Sequence, residues 1–357
     1  MARTKRWLAP WKDDEKRPVL YHIVSRIVDR RFVLKREEKE HFRRLMRQYE
    51  RFSGCRVLSY CVMSNHFHIL LEVPPLPPEG LADSEFFKRL AVFYPAPVLS
   101  EIRDRLEAAR ELADPCHAQE VMRPFLRRMH DLSNFMRGLL QRFTCWFNRV
   151  HSRTGTLWEQ RFKSLIVEDG VASRTMAAYI DLNPVRAGMV KDPADYRWSS
   201  YGEAVGGGKK ARAGLVRALH AHRSLKGTAR GWANGVAKEY RFILLEGAEE
   251  RLEKTVGKTK KLEARVVRKG MTKAEVARET KALEARKRDL AISKAVRCRL
   301  RHLTDGGVIG GKAFVNEVFV RCRERFSEKR ETGARKPRGD LSALSGEIWS
   351  ARDLQKT

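Results

Sequence analysis

Two histidines one residue apart, His66 and His68, stand in the run Ser64-Asn65-His66-Phe67-His68-Ile69-Leu70-Leu71. On a strand, residues i and i+2 project from the same face, so the two imidazoles come side by side while Phe67 and Ile69 turn the other way into a core. Such a pair can chelate one divalent ion; the alternative is two histidines on a half-exposed strand. His220-Ala221-His222 repeats the spacing in a helix-like stretch, where i and i+2 diverge by roughly 200°, and is expected to be inert.

Two imidazoles do not complete a metal site. The segment from Val171 has Met176, Tyr179, Ile180 and Asn183 at helical steps. Tyr179 and Asn183, four apart, share one helix face, so packing that face over the histidine strand would let Asn183 give the ion an oxygen and set Tyr179 beside it. A phenol next to a metal-held phosphate can be a nucleophile, although its ordinary pKa of about 10 requires help with deprotonation. The competing reading of Tyr179 is a core tyrosine. Glu72, on the same strand face as the histidines, is a lesser candidate for ligand or base.

Around this constellation the pattern reads strand, helix, strand, strand from Val19 to Pro74. Leu20 to Val28 is short and β-branched, and Phe42, Leu45, Met46 and Tyr49 recur at helical spacing. Gly54 is a stop, and Arg56 to Val73 reads as two strands bent at Ser64-Asn65. Four prolines between 74 and 78 introduce a charged helical insertion, about 75–130. Leu132 to Val150 is amphipathic, and Leu157 to Val167 is β-like in composition. Trp158, Arg161, Phe162 and Lys163 interleave rings with cations, which suits stacking on unpaired bases beside phosphate contacts; the competing reading is a strand with core rings and solvated cations, and both can hold at once because alternate faces differ. Arg174 and Arg186 flank the tyrosine helix and could hold phosphates.

Beyond this part, Gly206-Gly207-Gly208-Lys209-Lys210 reads as a flexible basic linker, and Lys238 to Arg301 is almost continuously helix-favouring. The expected division is an arm over 1–18, a catalytic domain over 19–205, a linker over 206–232, a helical basic region over 233–330 and a basic tail over 331–357. Deletion from about Ala211 is then expected to leave a folded core. Gly306 to Ala313 imitates a phosphate-binding loop, but Ala313 lacks the metal-binding hydroxyl and the preceding Leu300-Arg301-His302 looks helical, so nucleotide hydrolysis is not expected there.

Composition narrows the partner. The chain has 357 residues, 42% hydrophobic and 33% charged, enough apolar content for a sizeable core. Its 73 Lys and Arg against 44 Asp and Glu give a net charge of +29, which points to a polyanion, nucleic acid before a membrane surface. No apolar run has the roughly 18 residues of a spanning helix, so neither secretion nor membrane insertion is expected. Six scattered cysteines without a Cys-x-x-Cys pair read as reduced thiols.

Three stretches together resemble the bacterial single-tyrosine HUH transposases, specifically the REP-associated tyrosine transposases. They are Ser64-Asn65-His66-Phe67-His68; Leu157-Trp158-Glu159-Gln160-Arg161-Phe162-Lys163-Ser164; and Tyr179-Ile180-Asp181-Leu182-Asn183-Pro184-Val185-Arg186-Ala187-Gly188 followed by Trp198-Ser199-Ser200-Tyr201. The likeness spans about Val19 to Gly202; the segment 75–129 departs from the compact pattern. It implies an α+β fold with a ferredoxin-like antiparallel sheet. It also implies Mg²⁺ or Mn²⁺ held by His66 and His68, and Tyr179 attacking single-stranded DNA to leave a 5′-phosphotyrosine and a free 3′-hydroxyl. Further implications are a hairpin-forming DNA substrate, a homodimer, and a cytoplasmic, nucleoid-associated location. The rival reading is a non-catalytic DNA-binding descendant of such an enzyme; an RNA-binding regulator is supported by charge alone.

Overall fold

The computed structural model describes residues 6–12, 17–77, 80–112, 116–220, 231–248, 251–256, 262–268, 270–282, 307–336 and 348–351. Strand β1 (Val19–Arg26) is followed by helix α1 (Arg36–Ser53) and the hairpin β2 (Arg56–Val62) and β3 (His66–Val73). Then come α2 (Asp83–Leu90), α3 (Ala96–Glu111), α4 (Cys116–Leu126), α5 (Leu132–Val150) and β4 (Lys163–Val167). The sheet order begins β2-β3-β1-β4, all antiparallel. With α1 and α5 as the two crossovers this is the β-α-β-β-α-β arrangement of a ferredoxin-like core, as expected, and α2 to α4 are the helical insertion.

Local chemistry explains these boundaries. The Glu38 carboxylate accepts the Lys35 N–H at 2.8 Å and so satisfies an orphan donor at the start of α1. Gly54 ends the helix in the left-handed region at φ 74°, where a Cβ would also run into the Arg89 guanidinium and His130. Asp131 caps α5 by accepting the Asn134 N–H at 2.6 Å.

Strand alternation sorts the side chains into two cores. Phe67, Ile69 and Leu71 of β3 join Phe42, Tyr49, Phe135 and Phe143 beneath α1 and α5. Each such fully buried side chain contributes about 1.5–3 kcal/mol through lost apolar exposure. Leu70 of β3, Leu20 of β1 and Leu165 of β4 face the other way. That second face is covered by α6 (Val171–Asp181), the short α7 (Asn183–Arg186), α8 (Ser200–Val205) and α9 (Lys209–Leu219). Because both ferredoxin-like crossovers take one face, the histidine face is left for α6, and every α6 residue except Val171 and Arg174 is buried.

The structure corrects the expected division at residue 206. Gly206 closes α8 and Gly208 immediately opens α9, whose Ala211, Leu215 and Val216 are buried, so Lys209-Lys210 begin a packed helix and not a linker. A Cβ on Gly214 would meet the β2 carbonyls of Val57 and Leu58, which shows how closely α9 lies on the sheet. After α10 (Ala237–Ala248) the expected helical run is interrupted by an antiparallel hairpin, β5 (Arg251–Val256) and β6 (Leu262–Arg268), before α11 (Lys273–Ala282). The chain then returns to the main sheet: β7 (Val308–Gly310) pairs parallel with β4, α12 (Lys312–Arg321) follows, and β8 (Trp349–Ala351) pairs antiparallel with β7. Val308, Val315 and Val318 are buried in the first core, so a cut near residue 211 removes part of the sheet. The N-terminal arm is also anchored, with Trp7, Ala9 and Trp11 buried and the Ala9 N–H donating to the Tyr21 hydroxyl at 3.0 Å.

The phosphate-loop imitation is explained. A strand does precede Gly311, but the Glu168 carboxylate accepts the Gly311 N–H at 2.5 Å and occupies the helix start with its own negative charge. Gly306, Leu300-Arg301-His302 and His222 lie outside the described residues. Among the described residues no helix is long and apolar enough to cross a membrane.

Candidate active site

His66 and His68 project from one face of β3, with ring centroids 5.1 Å apart and planes nearly perpendicular. The facing residues on β1 are Arg26 and Val24, and Lys163 of β4 lies opposite Val24 in the same row. The histidine face therefore carries Arg26 and Lys163 across the strands.

A third imidazole completes the cluster. His22 of β1 is buried, stacks on His68 at 5.2 Å and 12°, and its Nε2 lies 3.0 Å from His68 Nδ1. His66 Nδ1 lies 2.6 Å from Asn65 Oδ1. An amide oxygen only accepts, so His66 Nδ1 carries the proton and Nε2 keeps its lone pair. A proton on His68 Nδ1, donated to His22, would leave His68 in the same tautomer. Burial, reinforced by the Arg26 charge, pushes the His66 pKa down to about 4. Burial first, then neighbouring His66, His22, Arg26 and Arg186, holds His68 well below its ordinary value. Both are therefore neutral near pH 7, the state in which an imidazole coordinates a metal.

Tyr179 meets this cluster from α6. Its ring stands edge-on to His68 at 6.0 Å and to His22 at 6.2 Å, and it is 9% exposed. The Arg186 guanidinium lies 4.4 Å over the same ring and donates through Nη1 to the Tyr179 carbonyl at 3.0 Å. The tyrosine is thus both a packed residue and a neighbour of the histidine pair.

Asn183 has a structural task of its own. Pro184 has no N–H for the Ile180 carbonyl, so the α6 ladder fails there. Asn183 Nδ2 makes good the loss, donating to the Tyr179 and Ile180 carbonyls at 3.1 and 3.2 Å. Its Oδ1 thereby remains the atom that could ligate. Among the described residues no group of three His, Cys, Asp or Glu side chains could hold a metal, so a three-ligand set here needs this amide oxygen. The donor set fits a divalent cation: two neutral imidazoles, His66 with its second nitrogen tied to Asn65 and His68 backed by His22, hydrogen bonds of the kind that fix the ring of a metal-binding histidine.

Other candidates fall elsewhere. Trp158 packs its ring among Phe42, Phe67 and Phe143 and donates Nε1 to Thr144 Oγ1 at 3.0 Å. Phe162 is buried in the same core under the Arg6 guanidinium, 4.4 Å from its ring. Both rings pack into that core, Phe162 buried and Trp158 half-buried, and the regular strand starts at Lys163. Arg161 and Lys163 are exposed. Arg174, partly buried, points toward Glu239 at 4.0 Å. Glu72 is fully buried between Arg56 and Arg217, at 2.6 and 2.8 Å, near the far end of β3, and belongs to an ion-pair network, not to the histidine cluster.

His22, Arg26 and Asp181 were not singled out from sequence. Burial raises the Asp181 pKa to about 7. Asp181 accepts the Tyr201 N–H at 2.9 Å and the Tyr240 hydroxyl at 2.6 Å, tying α6 to α8 and α10.

A ferredoxin-like sheet with paired imidazoles on a central strand and a tyrosine packed over them defines an α+β protein with a candidate metal-assisted site. Residues 16–78, the stretch holding β1, α1, β2 and β3, match the family model described as "Transposase IS200 like". Among solved structures, the chain is similar to one titled "Structure of the REP associates tyrosine transposase bound to a REP hairpin". The identity is 15%, the TM-score is 0.36, and the match covers 58% of this chain and 87% of that one. Among curated proteins none matches.

Proposed function

We propose that the protein is a metal-dependent transposase or nuclease that cleaves and rejoins single-stranded DNA at hairpin-forming repeats. The observation that carries this reading is the meeting of His66, His68 and Tyr179: two neutral imidazoles on one strand face with a phenol ring 6.0 Å from the second. The match of residues 16–78 to the IS200-like transposase model supports it.

In this reading His66 and His68 hold Mg²⁺ or Mn²⁺ with Asn183 Oδ1 as the third protein ligand. When bound there, the cation supplies Lewis-acid polarisation of a non-bridging phosphate oxygen. Arg26, Lys163 and Arg186 hold the strand's phosphates against the site, while Arg161 and Arg174 extend the basic surface. The Tyr179 oxygen forms a bond to phosphorus, the P–O3′ bond breaks, and the 3′ oxygen leaves and takes up a proton. The product is a 5′-phosphotyrosine and a free 3′-hydroxyl. Attack by a 3′-hydroxyl on the phosphotyrosine reverses the step without ATP, because the ester bond is exchanged, not hydrolysed. The resemblance also leads us to include assembly as a homodimer and action on the bacterial nucleoid.

The test is incubation with an end-labelled single-stranded hairpin DNA, with Mg²⁺ and with EDTA. A Mg²⁺-dependent covalent protein–DNA band on a denaturing gel is expected. DNA binding with no band under either condition would contradict catalysis and favour the DNA-binding descendant.

A further inference from the structure

We propose that the groove between α1 and α5, on the side of the sheet opposite the histidines, is a second DNA-binding surface that takes a segment of unpaired strand. The groove encloses about 600 Å³ and draws four arginines to its walls, Arg128, Arg137, Arg142 and Arg149, with no carboxylate among the lining residues.

These charges are held without being neutralised. Arg128 donates to the Tyr94 hydroxyl at 2.5 Å and lies 5.1 Å from the Phe52 ring centroid, and the Arg142 guanidinium lies 4.3 Å over Phe93. Among the described residues, none of the four has a carboxylate partner within ion-pair distance. Phe93 and Tyr94 follow α2 and Arg128 follows α4, so the insertion that departs from the compact family pattern supplies Arg128 to the groove and the rings that steady Arg128 and Arg142. Arg137 and Arg149 are twelve residues apart on α5, about 18 Å along the helix axis, enough to follow several phosphates of a strand.

The groove also contains a flat aromatic platform. His41 of α1 stacks on Trp146 of α5 at 3.8 Å and 9°. Burial lowers the His41 pKa, so the imidazole is a neutral ring near pH 7 and the pair offers π-surface. Helix α5 passes close to α1 here because residue 138 is glycine; a Cβ would come within 2.4 to 2.6 Å of the Tyr49 ring and hydroxyl. A row of guanidinium groups beside a stacking platform suits a polyanion whose bases are unpaired. A duplex hides the faces of its bases, and an acidic peptide brings carboxylates without rings to stack.

The choice of DNA over RNA rests on the proposed function; the groove's affinity for an unpaired strand does not. The test measures binding of labelled oligothymidylate and oligouridylate to the full chain in EDTA, at several salt concentrations. Arg137→Gln/Arg149→Gln removes two exposed charges, and Arg137→Lys/Arg149→Lys retains them. The glutamine pair is expected to weaken oligothymidylate binding about tenfold and to flatten the slope of log K against log salt by about 1.4, two phosphates' worth. The lysine pair should stay near wild type, and covalent adduct formation at saturating hairpin DNA should survive in both. Unchanged affinity and slope in the glutamine pair would overturn the proposal, as would a loss confined to oligouridylate. Absence of any adduct in the wild type, with the binding loss intact, would remove the catalytic reading and leave the groove standing.

Discussion

His22 Nε2 lies 3.0 Å from His68 Nδ1 across the β1–β3 ladder, with the two rings stacked 12° from parallel. A buried imidazole behind another has a consequence for coordination. Whichever nitrogen carries the shared proton, the bond fixes the orientation of the His68 ring and directs its Nε2 away from β1. His22→Ala should therefore weaken metal affinity by about 10- to 100-fold, as loss of the hydrogen bond that orients a ligating imidazole does. His22→Gln, which can still donate and accept, should recover part of it. Isothermal titration with Mn²⁺ reads both values, and equal affinity in wild type and His22→Ala would show that His22 only packs.

In the proposed mechanism His66 and His68 hold the cation directly, so removing either should have a larger effect on chemistry than on binding. His66→Ala and His68→Ala are expected to lower the single-turnover cleavage rate at least about 100-fold. Hairpin affinity should fall less than about threefold, since it rests on a surface of net charge +29. A parallel loss of affinity and rate would assign the histidines to binding alone.

Asp181 sets a pH dependence of stability. Its pKa is about 7 in the fold because burial disfavours the anion, against about 3.9 in an unfolded chain. The folded state thus binds more protons between these values. The contribution is fully present below about pH 4 and is lost progressively as pH rises to about 7, a change on the order of a few kcal/mol. Asp181→Asn, whose Oδ1 can still accept the Tyr201 N–H while its Nδ2 donates to the Tyr240 hydroxyl oxygen, should flatten the melting temperature across that window relative to wild type. Parallel melting curves for the two proteins from pH 4 to 7 would refute the assignment.

Truncation tests the revised organisation. Gly307 and Ile309 carbonyls accept the Ile166 and Glu168 N–H groups of the β4 segment, at 2.9 Å each. A protein ending at residue 306 uncovers that edge and the core around Val308, Val315 and Phe319. It should melt several degrees lower or aggregate, as followed by circular dichroism and light scattering. An unchanged melting temperature would restore the separable C-terminal region expected from sequence.

Much of this architecture was legible because the relevant signals are periodic. The alternation His66-Phe67-His68-Ile69-Leu70 placed the histidines on one face and Phe67 in the core, and the α1 stripe Phe42, Leu45, Met46 and Tyr49 is buried throughout. What escaped were features decided by distant pairing. Strands β7 and β8 have three residues each, too few for a period to register, and their place beside β4 comes from the sheet. The hairpin β5–β6 was hidden by Lys, Arg, Glu and Ala, although Thr255, Val256, Val266 and Val267 were a β-branched signal. Trp158 and Phe162 carry the same residue types whether they stack on bases or on Phe67 and the arm, and only packing distinguishes the two. His22 lay at an inward position of the alternation Leu20-His22-Val24, where a polar residue on a buried face was the available clue.

The most direct test of the central claim is the covalent adduct of Tyr179. Wild type and Tyr179→Phe are incubated with labelled hairpin DNA and Mg²⁺, resolved under denaturing conditions, and any adduct is digested and mapped by mass spectrometry. The substitution keeps the ring that packs against His22, His68 and Arg186. The fold and the hairpin affinity should therefore persist, with a stability change of at most about 1 kcal/mol for a lost hydrogen bond. A wild-type adduct on the peptide containing Tyr179 and none in Tyr179→Phe is expected; an adduct that persists in Tyr179→Phe, or that maps to Tyr201, would rule out Tyr179 as the nucleophile.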